Sequence, residues 1–113
     1  MTKLASQDCV PCRKGDNPLT GTELEQYLAE LPDWELVQRG TTPCLQRQIN
    51  TRDFAGAMAL ANRISDLAEA ENHHPELVVA YGSLSVRWWT HAIGGLHPND
   101  FIMAARTDAL LQP

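Results

Sequence analysis

The chain is short of positive charge. Nine Lys and Arg stand against fourteen Asp and Glu, for a formal net charge of −5. No Lys/Arg run occurs, so the basic footprint of general nucleic-acid binding is missing. No apolar stretch approaches the roughly 18 residues of a membrane span, and no membrane partner is expected. The opening residues Met1 to Asp8 lack the apolar region of a signal peptide. Only three cysteines are present, which do not make a secreted disulfide framework. The expected setting is reducing and cytoplasmic. Repeats and long linkers are absent too, so the 113 residues are expected to form one domain with its own core. What remains is ordinary for a soluble globular protein, 43% hydrophobic and 20% charged.

Residues 1–18 read as a flexible N-terminal segment, polar and broken by Pro11, Gly15 and Pro18. Residues 19–113 form the folded domain. Thr20 with Glu23 reads as a capping box and Leu19 as a staple onto Leu24, opening a helix that runs to about Glu30 and stops near Pro32. Trp34–Gln38 and Cys44–Ile49 read as two strands around Gly40. Asn50 or Thr51 is expected to cap a long helix from about Arg52 to Glu71. Its apolar stripe is Phe54, Ala57, Met58, Ala61, Ile64, Leu67 and Ala68. Asn72 and Pro75 end it. A last helix begins after Leu96-His97, with Pro98 first, Asp100 bonding back to the cap and Leu96 stapled onto Phe101. Ile102, Ala105, Ala109 and Leu110 are its inner side. The order α-β-β-α-β-β-α predicts an α+β two-layer sandwich: a four-stranded antiparallel sheet with three helices on one face.

The four histidines all lie between residues 73 and 97. Between His74 and His91 run two β-branched and aromatic stretches flanking Gly82-Ser83, which reads as a type II′ hairpin turn. That register sets Tyr81 opposite Leu84 and, carried to the open end, His74 opposite His91. It puts Leu77, Val79, Tyr81, Leu84, Val86 and Trp88 on the core side. Glu76, Val78, Ala80, Ser85, Arg87 and Trp89 share the other face. A one-residue slip would reverse both. His73, His74 and His91 thus converge. An imidazole ordinarily titrates near pH 6.5, which suits acid–base work at neutral pH. The plainer reading is that each histidine merely ends a helix or a strand. Three histidines also allow a zinc site, against which adjacent His73 and His74 point in different directions.

Other residues carry weaker signals. Glu69 and Asp100 can tune a histidine or meet a ligand, though both also read as ordinary helix carboxylates. Trp89 either stacks on a flat heterocycle or is buried between subunits, and the interface is favoured. Cys9-Val10-Pro11-Cys12 is half a zinc motif at most, and reads as ordinary thiols.

Glu69-Ala-Glu-Asn-His73-His74-Pro75, then Tyr81, Thr90-His91 and Asp100, resembles the signature of pterin-4a-carbinolamine dehydratases. The resemblance spans about residues 19–112 and includes Pro32-Asp33-Trp34 and Gly95-Leu96. The chain departs from the pattern at His97, where many members carry a small capping residue. It departs again at Ala92 and Ile93, where animal members are polar. The resemblance implies a hydro-lyase that dehydrates 4a-hydroxytetrahydrobiopterin to quinonoid dihydropterin in tetrahydrobiopterin recycling. It implies catalysis by His73, His74 and His91, with His73 and His91 as the acid–base pair and His74 mainly orienting the pterin. Substrate contacts are expected from Glu69, Asn72, Pro75, Trp89, Thr90, Ala92 and Asp100. No metal or organic cofactor is implied, and a homodimer or homotetramer is. Animal relatives also serve as a transcription factor's dimerisation partner, so a non-catalytic interaction module is one alternative. An enzyme of another, molybdopterin-related pathway is the other.

Overall fold

The computed structural model describes residues 4–10 and 16–111. A 3-10 turn at Leu4–Ser6 precedes α1 (Gly21–Ala29), β1 (Glu35–Arg39), β2 (Thr42–Asn50), α2 (Phe54–Glu71), β3 (Glu76–Ala80) and β4 (Ser83–Trp88). A second 3-10 turn, His91–Ile93, leads into α3 (Pro98–Leu110). The strands form one antiparallel sheet in the order β1-β2-β4-β3. The fold is the expected α+β sandwich. Among the described residues no helix is long and apolar enough to cross a membrane.

The core lies where the sheet meets α2 and α3. Leu45, Ile49, Leu84, Val86 and Trp88 are buried along the central strands. Ala57, Leu60, Ala61, Ile64 and Ala68 meet them from α2. Trp88 is fully buried and still satisfies its indole N–H, which donates to Thr107 Oγ at 3.2 Å on α3. α1 joins through Tyr27, whose ring lies 5.0 Å from that of Phe101.

α3 is buried nearly all round, because the sheet, α1, α2 and the N-terminal turn all pack on it. Its start is as expected at Pro98 and Asp100: the His97 N–H donates to Asp100 Oδ2 at 2.9 Å. His97 itself completes the cap, its Nδ1 accepting from Asn99 N–H at 3.0 Å. An imidazole thus replaces the small capping residue.

Several expectations need correction. The Gly82-Ser83 turn is instead Tyr81-Gly82, with Ala80 opposite Ser83 and Leu77 opposite Val86. Gly82 takes φ +78° and Tyr81 has no positive φ, the pattern of a type II turn with glycine second. Its carbonyl accepts from Thr51 N–H at 2.8 Å, bracing the β2–α2 junction. The register moves by two residues, which preserves the faces. Within the ladder the assignments hold; Tyr81 leaves its own, because it projects from the turn and is exposed.

Asn50 stays in the β2–β4 ladder and Thr51 is tied to the turn, so Asp53 caps α2, accepting from Gly56 N–H at 2.7 Å. Phe54 and Met58 flank the buried line of that helix and are exposed, with Leu60 inside instead. Thr20 makes no side-chain capping bond, so the capping box of α1 does not form. Ala109 is on the exposed side of α3. Leu4–Val10, expected to be loose, lies against the domain, with Leu4 buried beside α3. Cys12 lies outside the described residues, so the Cys9–Cys12 motif has no structural reading.

Candidate active site

The site forms where the β3–β4 ladder stops, its last pair being Glu76 and Arg87. On one side α2 ends at Asn72, whose left-handed backbone (φ 52°) turns the chain out of the helix. The His73 N–H closes that end on the Ala68 carbonyl at 3.1 Å. On the other side Thr90 pairs with Gly95 around the 3-10 turn carrying His91. Gly95 is required there: a Cβ would stand 2.9 Å from Pro18. The histidines therefore meet through two loop exits rather than through the ladder, and the direct pairing of His74 with His91 does not occur.

They do share one hollow. A cavity of about 460 Å³ is lined by Asn72, His73, His74, Thr90, His91 and Ala92, all expected site residues. Its size falls within the roughly 300–1,000 Å³ usual for small-molecule sites. Glu69, Pro75, Trp89 and Asp100 do not line it. Pro75 is half-buried at the entry to β3. Glu69 and Asp100 stand behind histidines, and Trp89 beneath one.

Each imidazole has its own surroundings. His73 Nε2 lies 2.6 Å from Asp100 Oδ1, and its ring stacks on Trp88 at 5.7 Å with 4° between planes. Asp100 is fully buried and its other oxygen accepts from Thr90 Oγ at 2.7 Å and from the His97 N–H. That carboxylate therefore holds His73, the helix start and Thr90 together. His74 Nε2 lies 2.6 Å from Glu69 Oε2, but both side chains are exposed. His91 is exposed, and among the described residues its ring nitrogens have no hydrogen-bond partner. It rests instead on Trp89, with centroids 4.6 Å apart. The Arg39 guanidinium also lies over the Trp89 ring, 4.9 Å from its centroid. Trp89 is only 7% exposed. Its assignment to a subunit interface or to ligand stacking is therefore corrected: the chain buries it itself, because β4 ends at Trp88 and strand alternation no longer applies.

Four lining residues were not expected at the site from the sequence: Cys9 and Val10, noted only as part of a weak cysteine motif, and Glu71 and Asn99. Glu71 accepts from Cys9 N–H at 2.9 Å and pairs with Arg106 at 3.2 Å. The Cys9 N–H, and then Arg106, hold its carboxyl below the usual carboxylate range, against the opposing effect of burial. Burial, with the Glu71 charge beside it, pushes the Cys9 thiol up to about 12. Glu71 had one sequence signal, its place in the last turn of α2 beside Asn72. Among the described residues no cluster of three His, Cys, Asp or Glu is placed to hold a metal ion.

Comparison with known proteins identifies the family. Residues 17–110 match the family model described as pterin 4 alpha carbinolamine dehydratase. A Chlorobium limicola protein, provisionally named pterin-4-alpha-carbinolamine dehydratase, is 49% identical over 110 residues, 97% of each chain. A Microcystis aeruginosa protein of the same provisional name is 47% identical over 108 residues, 96% of this chain and 93% of its own. The crystal structure of a transcriptional coactivator/pterin dehydratase from Brucella melitensis superposes with TM-score 0.76 at 29% identity. That match covers 85% of this chain and all of the Brucella chain.

Proposed function

The chain belongs to the pterin-4a-carbinolamine dehydratase family, a family of hydro-lyases, and we propose that it converts 4a-hydroxytetrahydrobiopterin to quinonoid dihydropterin by histidine acid–base catalysis. The observation that carries this reading is that His73, His74 and His91 line one shared cavity, with Asp100 buried behind His73.

The chemistry needs two proton transfers. The C4a–O bond breaks with the oxygen leaving as water, which requires a proton on that oxygen. N5 gives up its proton as the C4a=N5 double bond forms. One imidazolium donates to the oxygen and one neutral imidazole accepts from N5, so the pair is restored once the protons re-equilibrate. His73 and His91 suit these roles. Asp100 fixes the ring of His73 through Nε2, and His73 lines the cavity. His91 has both nitrogens uncommitted on a ring steadied by Trp89. His74, tied to Glu69 at the exposed rim, orients the pterin. Asn72, Thr90 and Ala92 contribute the surface against which it lies. A homodimer or homotetramer in a reducing cytoplasm, serving tetrahydrobiopterin recycling, completes the proposal. The unpaired Cys9 and Cys44 thiols are consistent with that compartment.

The test is stopped-flow dehydration of freshly generated 4a-hydroxytetrahydrobiopterin. The protein should accelerate it, and His91→Ala should lose about 10²–10⁴-fold in turnover with unchanged circular dichroism. Turnover equal to the parent's would remove His91 from the mechanism.

A further inference from the structure

The match to the family model begins at residue 17, yet Cys9 and Val10 line the cavity. Part of the pocket is therefore built from chain that lies outside the family's shared domain. That part is held in a defined place. The Val10 N–H donates to Asn99 Oδ1 at 3.0 Å, and Asn99 Nδ2 donates back to the Val10 carbonyl at 2.7 Å. This two-way pairing fixes both the position and the direction of the main chain at Val10. One residue earlier, the Cys9 N–H donates to Glu71 Oε1. Glu71 is anchored in turn by Arg106, which also reaches Asp8 at 3.8 Å. Asn99 is 2% exposed, so breaking its pairing would leave a buried amide unsatisfied. Leu4, seated in the core, secures the other end.

The Chlorobium relative aligns over 110 residues, 97% of this chain, and its alignment therefore reaches across this segment.

We propose that Leu4–Val10 is a strap forming one wall of the pterin cavity, with Asn99 and Glu71 as the positioning residues that hold it. The inference rests on the pterin reading above. Among the described residues, the hydrogen bonds of Cys9 and Val10, which line the cavity, go to Glu71 and Asn99 and not to His73, His74 or His91. The strap therefore governs how tightly the pterin is retained, while the imidazoles govern how fast water is lost. The wall it presents is uncharged at neutral pH, because the Cys9 thiol keeps its proton. Its role is shape and exclusion of solvent, not nucleophilic attack.

The test separates binding from chemistry. Asn99→Ala removes both bonds to Val10 and leaves Leu4 seated. Glu71→Ala removes the acceptor for Cys9, and Glu71→Gln keeps one. Steady-state dehydration supplies KM and kcat, and fluorescence titration with biopterin supplies Kd. For Asn99→Ala and Glu71→Ala, KM and Kd should rise about tenfold with kcat within about twofold, and Glu71→Gln should restore most of the loss. Val10→Pro, which removes the N–H donated to Asn99 and leaves Leu4 seated, should reproduce the KM effect if either substitution fails to fold. Parental KM and Kd in these variants would overturn the strap and leave the pterin reading standing. A fall in kcat with KM unchanged would also overturn it. A parent protein that neither binds biopterin nor speeds dehydration would overturn the pterin reading itself.

Discussion

Two adjacent histidines each face a carboxylate at 2.6 Å, and the two pairs are not equivalent. His73 and Asp100 have side chains 11% and 0% exposed, while those of His74 and Glu69 are 52% and 73% exposed. The first pair joins elements 27 residues apart, and its carboxylate accepts two further bonds. The second closes a local loop of five residues in water. Water screens the second pair and leaves it little net value. The first is shielded, and losing either partner leaves the other buried and unpaired. Equal distances thus conceal a buried, positioned imidazole beside a solvated one.

Turnover should show the widest separation. His73→Ala is expected to cost about 10²–10⁴-fold, and His74→Ala less than about tenfold, in the dehydration assay. Equal losses would erase the distinction.

Stability should show the next. Asp100→Ala orphans Thr90 Oγ and the His97 N–H as well as His73. It should cost about 3–5 kcal/mol in urea unfolding. Glu69→Ala should cost under about 1 kcal/mol. A mild effect at Asp100 would mean that the buried network carries no more weight than the exposed pair.

Acid supplies the finest contrast, through a third pair of intermediate exposure, Glu71 with Arg106. The folded protein holds the Glu71 carboxyl below its usual value of 4.5. Its contribution is therefore complete above that pH and lost as pH falls through the lowered value. Acid unfolding of Glu71→Gln should lack this component. Superimposable curves for parent and variant would deny Glu71 a stabilising role.

Much of this arrangement was legible in the letters, and the exceptions have physical causes. The alternation in Leu84, Val86 and Trp88 and the spacing of Ala57, Ala61, Ile64 and Ala68 report burial directly. Pro32, Asn72, Pro75 and Pro98 punctuate the chain wherever the backbone cannot continue. The β3–β4 turn was misplaced because a positive φ at Gly82 suits either loop position, and the choice lay with Thr51, distant in sequence. The faces survived because the register moved by two. The histidines were readable from type and spacing. The strap was not, since the Cys9–Glu71 and Val10–Asn99 bonds span 62 and 89 residues. Nothing local marks such contacts. Trp89 misled for a related reason: its role depends on Arg39 from another strand and on a turn that begins just after it.

The most direct measurement is the crystal structure of this protein with a bound 7,8-dihydropterin. The account predicts the ring in the cavity beside Val10, with C4a and N5 about 3–3.5 Å from nitrogens of His73 and His91. A pterin bound elsewhere, or oriented with C4a and N5 facing solvent, would contradict it.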